Sequence, residues 1–157
     1  MLAKTLVLGI GNPIMQDDGA GVYVVQQLKA EQSIHPNIVF LDGGTLSFSL
    51  IGEIESVERL IVVDAAQLDD APGSIRTFID EEMDRFLGQQ KNSSVHDVTL
   101  VDLLSIALLS DRLPSKRALI GIQPASIDFG TEPTSAIQLA IPKACNMAME
   151  LLEQWNA

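Results

Sequence analysis

Three short apolar runs, Leu6–Ile10, Ile38–Leu41 and Leu60–Val63, each stop abruptly at glycine or aspartate. Uninterrupted β-branched and aliphatic residues of this length mark strands covered on both faces, as in parallel sheets, whereas one-sided strands alternate apolar with polar positions. Between the first two runs the apolar residues change period. Val22, Val25 and Leu28 recur at helical spacing, with Tyr23 and Val24 widening the stripe. Strands that alternate with helices in this way predict an α/β fold with a mostly parallel sheet.

The remaining elements follow from the same patterns. Asp17 and Asp18 are placed to cap or begin the first helix, which is expected to run to about His35-Pro36-Asn37. Phe48, Leu50 and Ile51 suit a short helix. After the turn Asp69-Asp70-Ala71-Pro72-Gly73, Ser74–Ile79 alternates as a half-exposed edge strand does, and antiparallel pairing is open to it. A short helix begins at Asp80-Glu81-Glu82, polar loop is expected from Gly88 to Ser94, and another helix opens at Asp97-Val98-Thr99. Ala118–Ile122 reads as the last core strand. Ser135–Trp155 reads as a long helix in which Pro142 should introduce a kink or mark the true first turn. No repeat or linker interrupts residues 1–157, which read as one domain.

Composition excludes some functions. Ten basic against 21 acidic residues give a net charge of -11, which opposes binding to a phosphate backbone, so no nucleic acid partner is expected. Cys145 is the one cysteine, so no internal disulfide or paired-cysteine zinc site is available, and a reducing, cytoplasmic setting is expected. The opening apolar run is too short for a signal peptide, and no stretch reaches the roughly 20 apolar residues of a spanning helix, so no membrane partner is expected.

In parallel sheets ligands bind beyond the carboxyl ends of the strands. Those ends carry Asp17 and Asp18, Asp42, and Asp64. Crowded carboxylates repel one another unless a cation or a proton joins them. Structural explanations compete for some of these acids: Asp17 or Asp18 as a helix cap, and Asp42 before two glycines as an Asx-turn. Asp64, at the end of an apolar strand and before Ala65-Ala66, has no obvious turn role. His96, where a polar loop enters a helix, offers an imidazole that would complete a mixed oxygen and nitrogen site for a borderline transition metal. His35, before a proline, reads as structural.

Other motifs fit less well. Gly9-x-Gly11 opens like a dinucleotide fingerprint, but Ile14 stands where the third glycine belongs, and two aspartates would meet the pyrophosphate. No Gly-x-Ser-x-Gly elbow is present, and Cys145 lies among Ala144, Met147 and Ala148 as a core residue does.

Taken in order, Gly9-x-Gly11-Asn12, Asp17-Asp18-Gly19-x-Gly21, Asp42-Gly43-Gly44-Thr45, Val62-Val63-Asp64-Ala65, His96-Asp97, Gly121-Ile122-Gln123-Pro124 and Thr134 resemble the hydrogenase maturation proteases along nearly the whole chain. The resemblance implies a three-layer α/β/α fold with a twisted five-stranded sheet. It implies an endopeptidase that removes a C-terminal extension from the nickel-loaded large-subunit precursor of a nickel-iron hydrogenase. By motif position the metal contacts fall on Asp18, Asp64 and His96, with Asp42 as an auxiliary residue of the cleft. Nickel would be carried by the substrate, and no organic cofactor is implied. Asp17, Asp18 or Asp42 remain candidates for proton transfer, with water as the nucleophile. Two other readings stay open: a non-catalytic nickel-dependent checkpoint or chaperone, and a Rossmann-like nucleotide-binding module.

Overall fold

A computed structural model describes residues 3–33, 35–90 and 98–156. Its strands are β1 (Thr5–Ile10), β2 (Ile38–Gly44), β3 (Arg59–Ala65), β4 (Ile75–Ile79) and β5 (Lys116–Ile122). They form a five-stranded sheet in the order β2-β1-β3-β5-β4, parallel except for β4, which runs antiparallel to β5 at one edge. The helices are α1 (Ala20–Glu31), α2 (Ile51–Glu55), α3 (Glu81–Gln89), α4 (Leu100–Leu109) and α5 (Ser135–Asn156), and 3-10 turns at Gln16–Gly19 and Phe48–Leu50 lead into the first two.

The period of two in the strands sorts their side chains into two cores. Val7, Ile61, Val63, Ala118, Ile120 and Ile122 face α1 and α5, meeting Val24, Val25, Leu28, Ile137, Ala140, Ala144 and Ala148. Leu6, Leu8, Ile10, Leu60, Val62 and Leu119 face the other way, against Ile54, Met83, Leu100, Leu103 and Ala107 of α2, α3 and α4. Every residue of β1 is buried, which accounts for its lack of polar alternation. This is the three-layer arrangement expected from the sequence.

Several boundaries differ from expectation. Helix α1 stops at Glu31, because beyond Leu28 the exposed Lys29, Ala30 and Glu31 bury nothing against the sheet, and Gln32 turns extended at ψ 144°. Helix α3 continues through Gly88 to Gln89, where loop was expected. The opening of α4 is set by Thr99, whose hydroxyl accepts the Asp102 N–H at 3.2 Å while the Asp102 carboxylate accepts the Thr99 N–H at 2.9 Å. This reciprocal pair satisfies two amides at the helix start. Pro142 lies inside a continuous α5. Both Pro142 and Gln138, one turn before it, are exposed, so the carbonyl left without a helical donor faces water.

Cys145 packs between α5 and α1, 4% exposed, with its Sγ donating to the Val24 carbonyl at 3.6 Å. Burial pushes its pKa up to about 11, with the Glu31 charge adding to the effect. Thiols react as thiolates. In native buffer at pH 8, Cys145 should therefore react with a disulfide reagent at least about tenfold more slowly than in 6 M guanidinium, as followed by thiol absorbance.

Candidate active site

Glycines bring α1 onto the sheet at the seam between β1 and β3. A Cβ on Gly21 would stand 1.9 Å from the Val63 carbonyl oxygen and 2.7 Å from that of Ile10, and one on Gly9 would stand 2.3 Å from the Gly21 carbonyl oxygen. No side chain fits there. Gly11 takes φ 134°, and a Cβ on it would lie 1.9 Å from the Asp18 carbonyl oxygen, so the turn Gln16–Gly19 folds directly back on the strand exit. The glycine pattern thus serves close packing. The seam is also where the strand order changes direction, β2 lying on one side of β1 and β3 on the other, which is the ligand-binding position of open α/β sheets.

The two adjacent acids of that turn have opposite surroundings. Asp17 is fully buried. Its Oδ1 accepts the Thr134 N–H at 2.7 Å, and its Oδ2 accepts the Thr134 hydroxyl at 2.7 Å and the N–H groups of Ala125 and Ser126 at 2.8 and 3.1 Å. Burial alone would raise its pKa, but these donors outweigh that cost and hold the carboxyl below its ordinary range. Asp17 is therefore a clamp rather than the helix cap or proton carrier that the sequence allowed. Nor does Asp18 cap α1: the helix has Gly19 at its N-cap and no side-chain cap bond. Asp18 remains partly exposed, and its Oδ2 accepts the Asn12 N–H at 3.0 Å.

Asp64 is the penultimate residue of β3, opposite Gly121 of β5. Burial pushes its pKa well up, and the Asp18 charge pushes it further, against one hydrogen bond from the Ala65 backbone. Part of its surface opens to a cavity of about 220 Å³ that is also lined by Gln67, Leu87, Gln90, Thr99 and Leu100. Gln123, buried beneath, receives the Leu68 N–H on its Oε1 at 2.6 Å and donates to the Gln67 Oε1 at 3.1 Å, so it fixes the chain that leaves Asp64.

Asp42 lies one strand further from Asp64, beside Gly9 in the β1–β2 register. It is exposed, accepts the Gly44 N–H at 3.0 Å in an Asx-turn, and receives Gln26 Nε2 at 3.2 Å. His35 accepts the Asn37 N–H at 3.1 Å, in keeping with its structural reading. His96 lies outside the described residues. Among the described residues no group of three acids, histidines or cysteines is gathered as a metal site. Of the four strand-end acids, Asp18 and Asp64 face one another electrostatically, whereas Asp17 and Asp42 are engaged elsewhere.

The hydrogenase maturation protease family model matches residues 22–151. The chain belongs to this family. Among relatives of this maturation protease, the hydrogenase expression/formation protein HupD of Bradyrhizobium diazoefficiens is 35% identical over 98% of this chain and 80% of its own. The hydrogenase 2 maturation protease of Escherichia coli is 29% identical over 96% and 92%. Among solved structures, the hydrogenase maturating endopeptidase HybD from E. coli superposes with a TM-score of 0.89 at 29% identity, covering 96% of this chain and 93% of that one. The NiFe hydrogenase maturation protease HybD from Thermococcus kodakarensis has a TM-score of 0.77 at 30% identity, covering 94% and 98%. The protein is accordingly a peptide hydrolase, and the nucleotide-binding alternative falls away. Among the described residues of the maturation protease, no helix is long and apolar enough to cross a membrane.

Two stability outcomes follow from the contrasting acids. Asp17→Asn should cost about 2–4 kcal/mol in urea denaturation at pH 7, since an amide cannot accept all four bonds as a carboxylate does. Because the folded pKa of Asp17 is lowered, its contribution is full above the ordinary carboxylate range and is lost as pH falls through the folded value, so the deficit should shrink on acidification. Because the folded pKa of Asp64 is raised, its ionised form is a cost that grows as pH rises above the ordinary carboxylate range, so Asp64→Asn should instead raise the thermal midpoint of the metal-free protein by about 3 °C at pH 8 and by less in acid.

Proposed function

We propose that this maturation protease removes the C-terminal extension of a nickel-loaded nickel-iron hydrogenase large-subunit precursor, and that Asp18, Asp64 and His96 read the nickel held by that substrate. The observation that carries the reading is the position of Asp64 near Asp18 at the switch point of the sheet, where burial and the Asp18 charge disfavour its free carboxylate. A divalent ion reverses that cost, because both oxygens then face positive charge. Thr99, three residues after His96, lines the same cavity as Asp64.

Two carboxylates and one imidazole occupy three coordination positions and leave the others to the substrate's own thiolates. The enzyme then caps the metal without extracting it. Metal capture fixes the scissile bond relative to the sheet edge, and water is the nucleophile, since Cys145 is buried away from the site. Asp17 is withdrawn from the proton carriers because both its oxygens are occupied, which leaves Asp18 and Asp42. At Gly44 a Cβ would meet nothing within 4 Å, so the backbone beside Asp42 is open to a passing peptide.

The test is intact mass spectrometry of purified precursor incubated with the enzyme, with and without nickel. Shortening is expected only for the nickel-loaded form, and Asp18→Ala, Asp64→Ala and His96→Ala should each slow it by about 100-fold or more. Cleavage that is equal without nickel would defeat the recognition role. Binding without any loss of mass would instead favour the checkpoint reading.

A further inference from the structure

The segment between β5 and α5 presents large apolar side chains to solvent: Phe129 is 80% exposed and Ile127 55%. Its backbone is nonetheless tied down on both sides of them. Ser126 exchanges backbone and carboxylate hydrogen bonds with Asp17, and Gly130 accepts the Gln16 N–H at 3.0 Å and donates to the Ile14 carbonyl at 2.8 Å. Further along, Tyr23 donates to both the Pro13 and the Thr131 carbonyls, at 2.8 and 3.3 Å. Ile14, 47% exposed, lies on the facing loop. Isolated exposed apolar residues are common, but a phenylalanine and two isoleucines held out on mutually bonded loops form a prepared surface, whose ordering cost is largely met before anything binds.

That surface is continuous with the candidate site. The loop that bonds to Gly130 and Ser126 is the one that carries Asp18, two residues beyond Gln16. Asp128 and Glu132 flank the apolar residues with negative charge on a chain of net charge -11. A partner with an apolar centre and a basic rim is therefore complementary.

We propose that Phe129, Ile127 and Ile14 form the docking surface for the folded body of the substrate protein, separate from the residues that meet its metal and scissile bond. This rests on the reading of Asp18 and Asp64 given above. A protein chain that delivers its end to Asp18 passes over these loops, and the apolar contact sets how firmly it is held.

The experiment compares wild type, the double variant Ile127→Ala/Phe129→Ala, Phe129→Leu, and Leu109→Ala on nickel-loaded precursor, with binding measured by interferometry and cleavage by intact mass. Leu109 is 87% exposed at the far end of α4 and serves as the apolar control. The double variant should weaken binding and raise KM by about tenfold with kcat unchanged, while Phe129→Leu restores most of the affinity and Leu109→Ala changes nothing. Wild-type cleavage with unaltered binding and KM in the double variant overturns the docking surface and leaves the protease reading intact. Patch-dependent binding by a wild type that never shortens the precursor has the reverse meaning. A loss of kcat alone, or a concentration-dependent dimer of the enzyme that the double variant abolishes, also overturns the proposal.

Discussion

The rest of the molecule depends on a contact between two pieces of backbone: the first turn of α1 against the carbonyls of Val63 and Ile10. Only glycine at position 21 permits it, and only glycine at position 9 permits the reciprocal approach from the strand. Helices usually stand off a sheet by the thickness of the side chains packed between them. Removing those side chains at one end lowers α1 onto the β1–β3 seam and carries the turn before it, with Asp18, to the edge where Asp64 emerges. The charge interaction between the two acids is a result of steric fit in the main chain.

Neighbouring residues of the same type then diverge entirely through environment. Asp17 points inward to four donors and is stabilised as an anion, whereas Asp64 has, among the described residues, the Ala65 backbone as donor and a like charge nearby. Buried carboxylates can be tolerated in either condition, but with different consequences. A carboxylate with a full set of donors is structural, and one with fewer donors beside a like charge is open to a cation or a proton. This difference separates the clamp from the site more clearly than position in the sequence does.

The legible and the illegible parts of this chain divide along the range of the interactions involved. Runs such as Leu6–Ile10 and Leu60–Val63 announce doubly covered strands because burial on both faces leaves a local pattern. Asp64 could be singled out because no local turn accounts for it, and Asp42 showed its Asx-turn through the glycines after it. Residue pattern alone did not separate Asp17 from Asp18, although the family resemblance put the metal contact on Asp18, because the partners of Asp17 lie 108 to 117 residues away and nothing local shows which carboxylate turns inward. Gln123 stood in a recognised motif, but its structural role was hidden for the same reason, since it reaches back 55 residues to Leu68. The premature end of α1 at Glu31 reflects how far the sheet extends beneath it, which is a tertiary quantity.

The bond between Asp17 and Thr134 also orders events in time. Chains emerge from the ribosome N-terminal end first, and β1, α1, β2 and β3 are all available to associate long before residue 134 has been made. Until then Asp17 has no donors, and a bare carboxylate resists burial, so the turn that holds Asp18 lacks its anchor. Closing a loop of 117 residues is entropically slow. The nascent protein therefore acquires an ordered acidic edge only after residue 134 has been added, and until then the turn that carries Asp18 is held by nearer contacts alone.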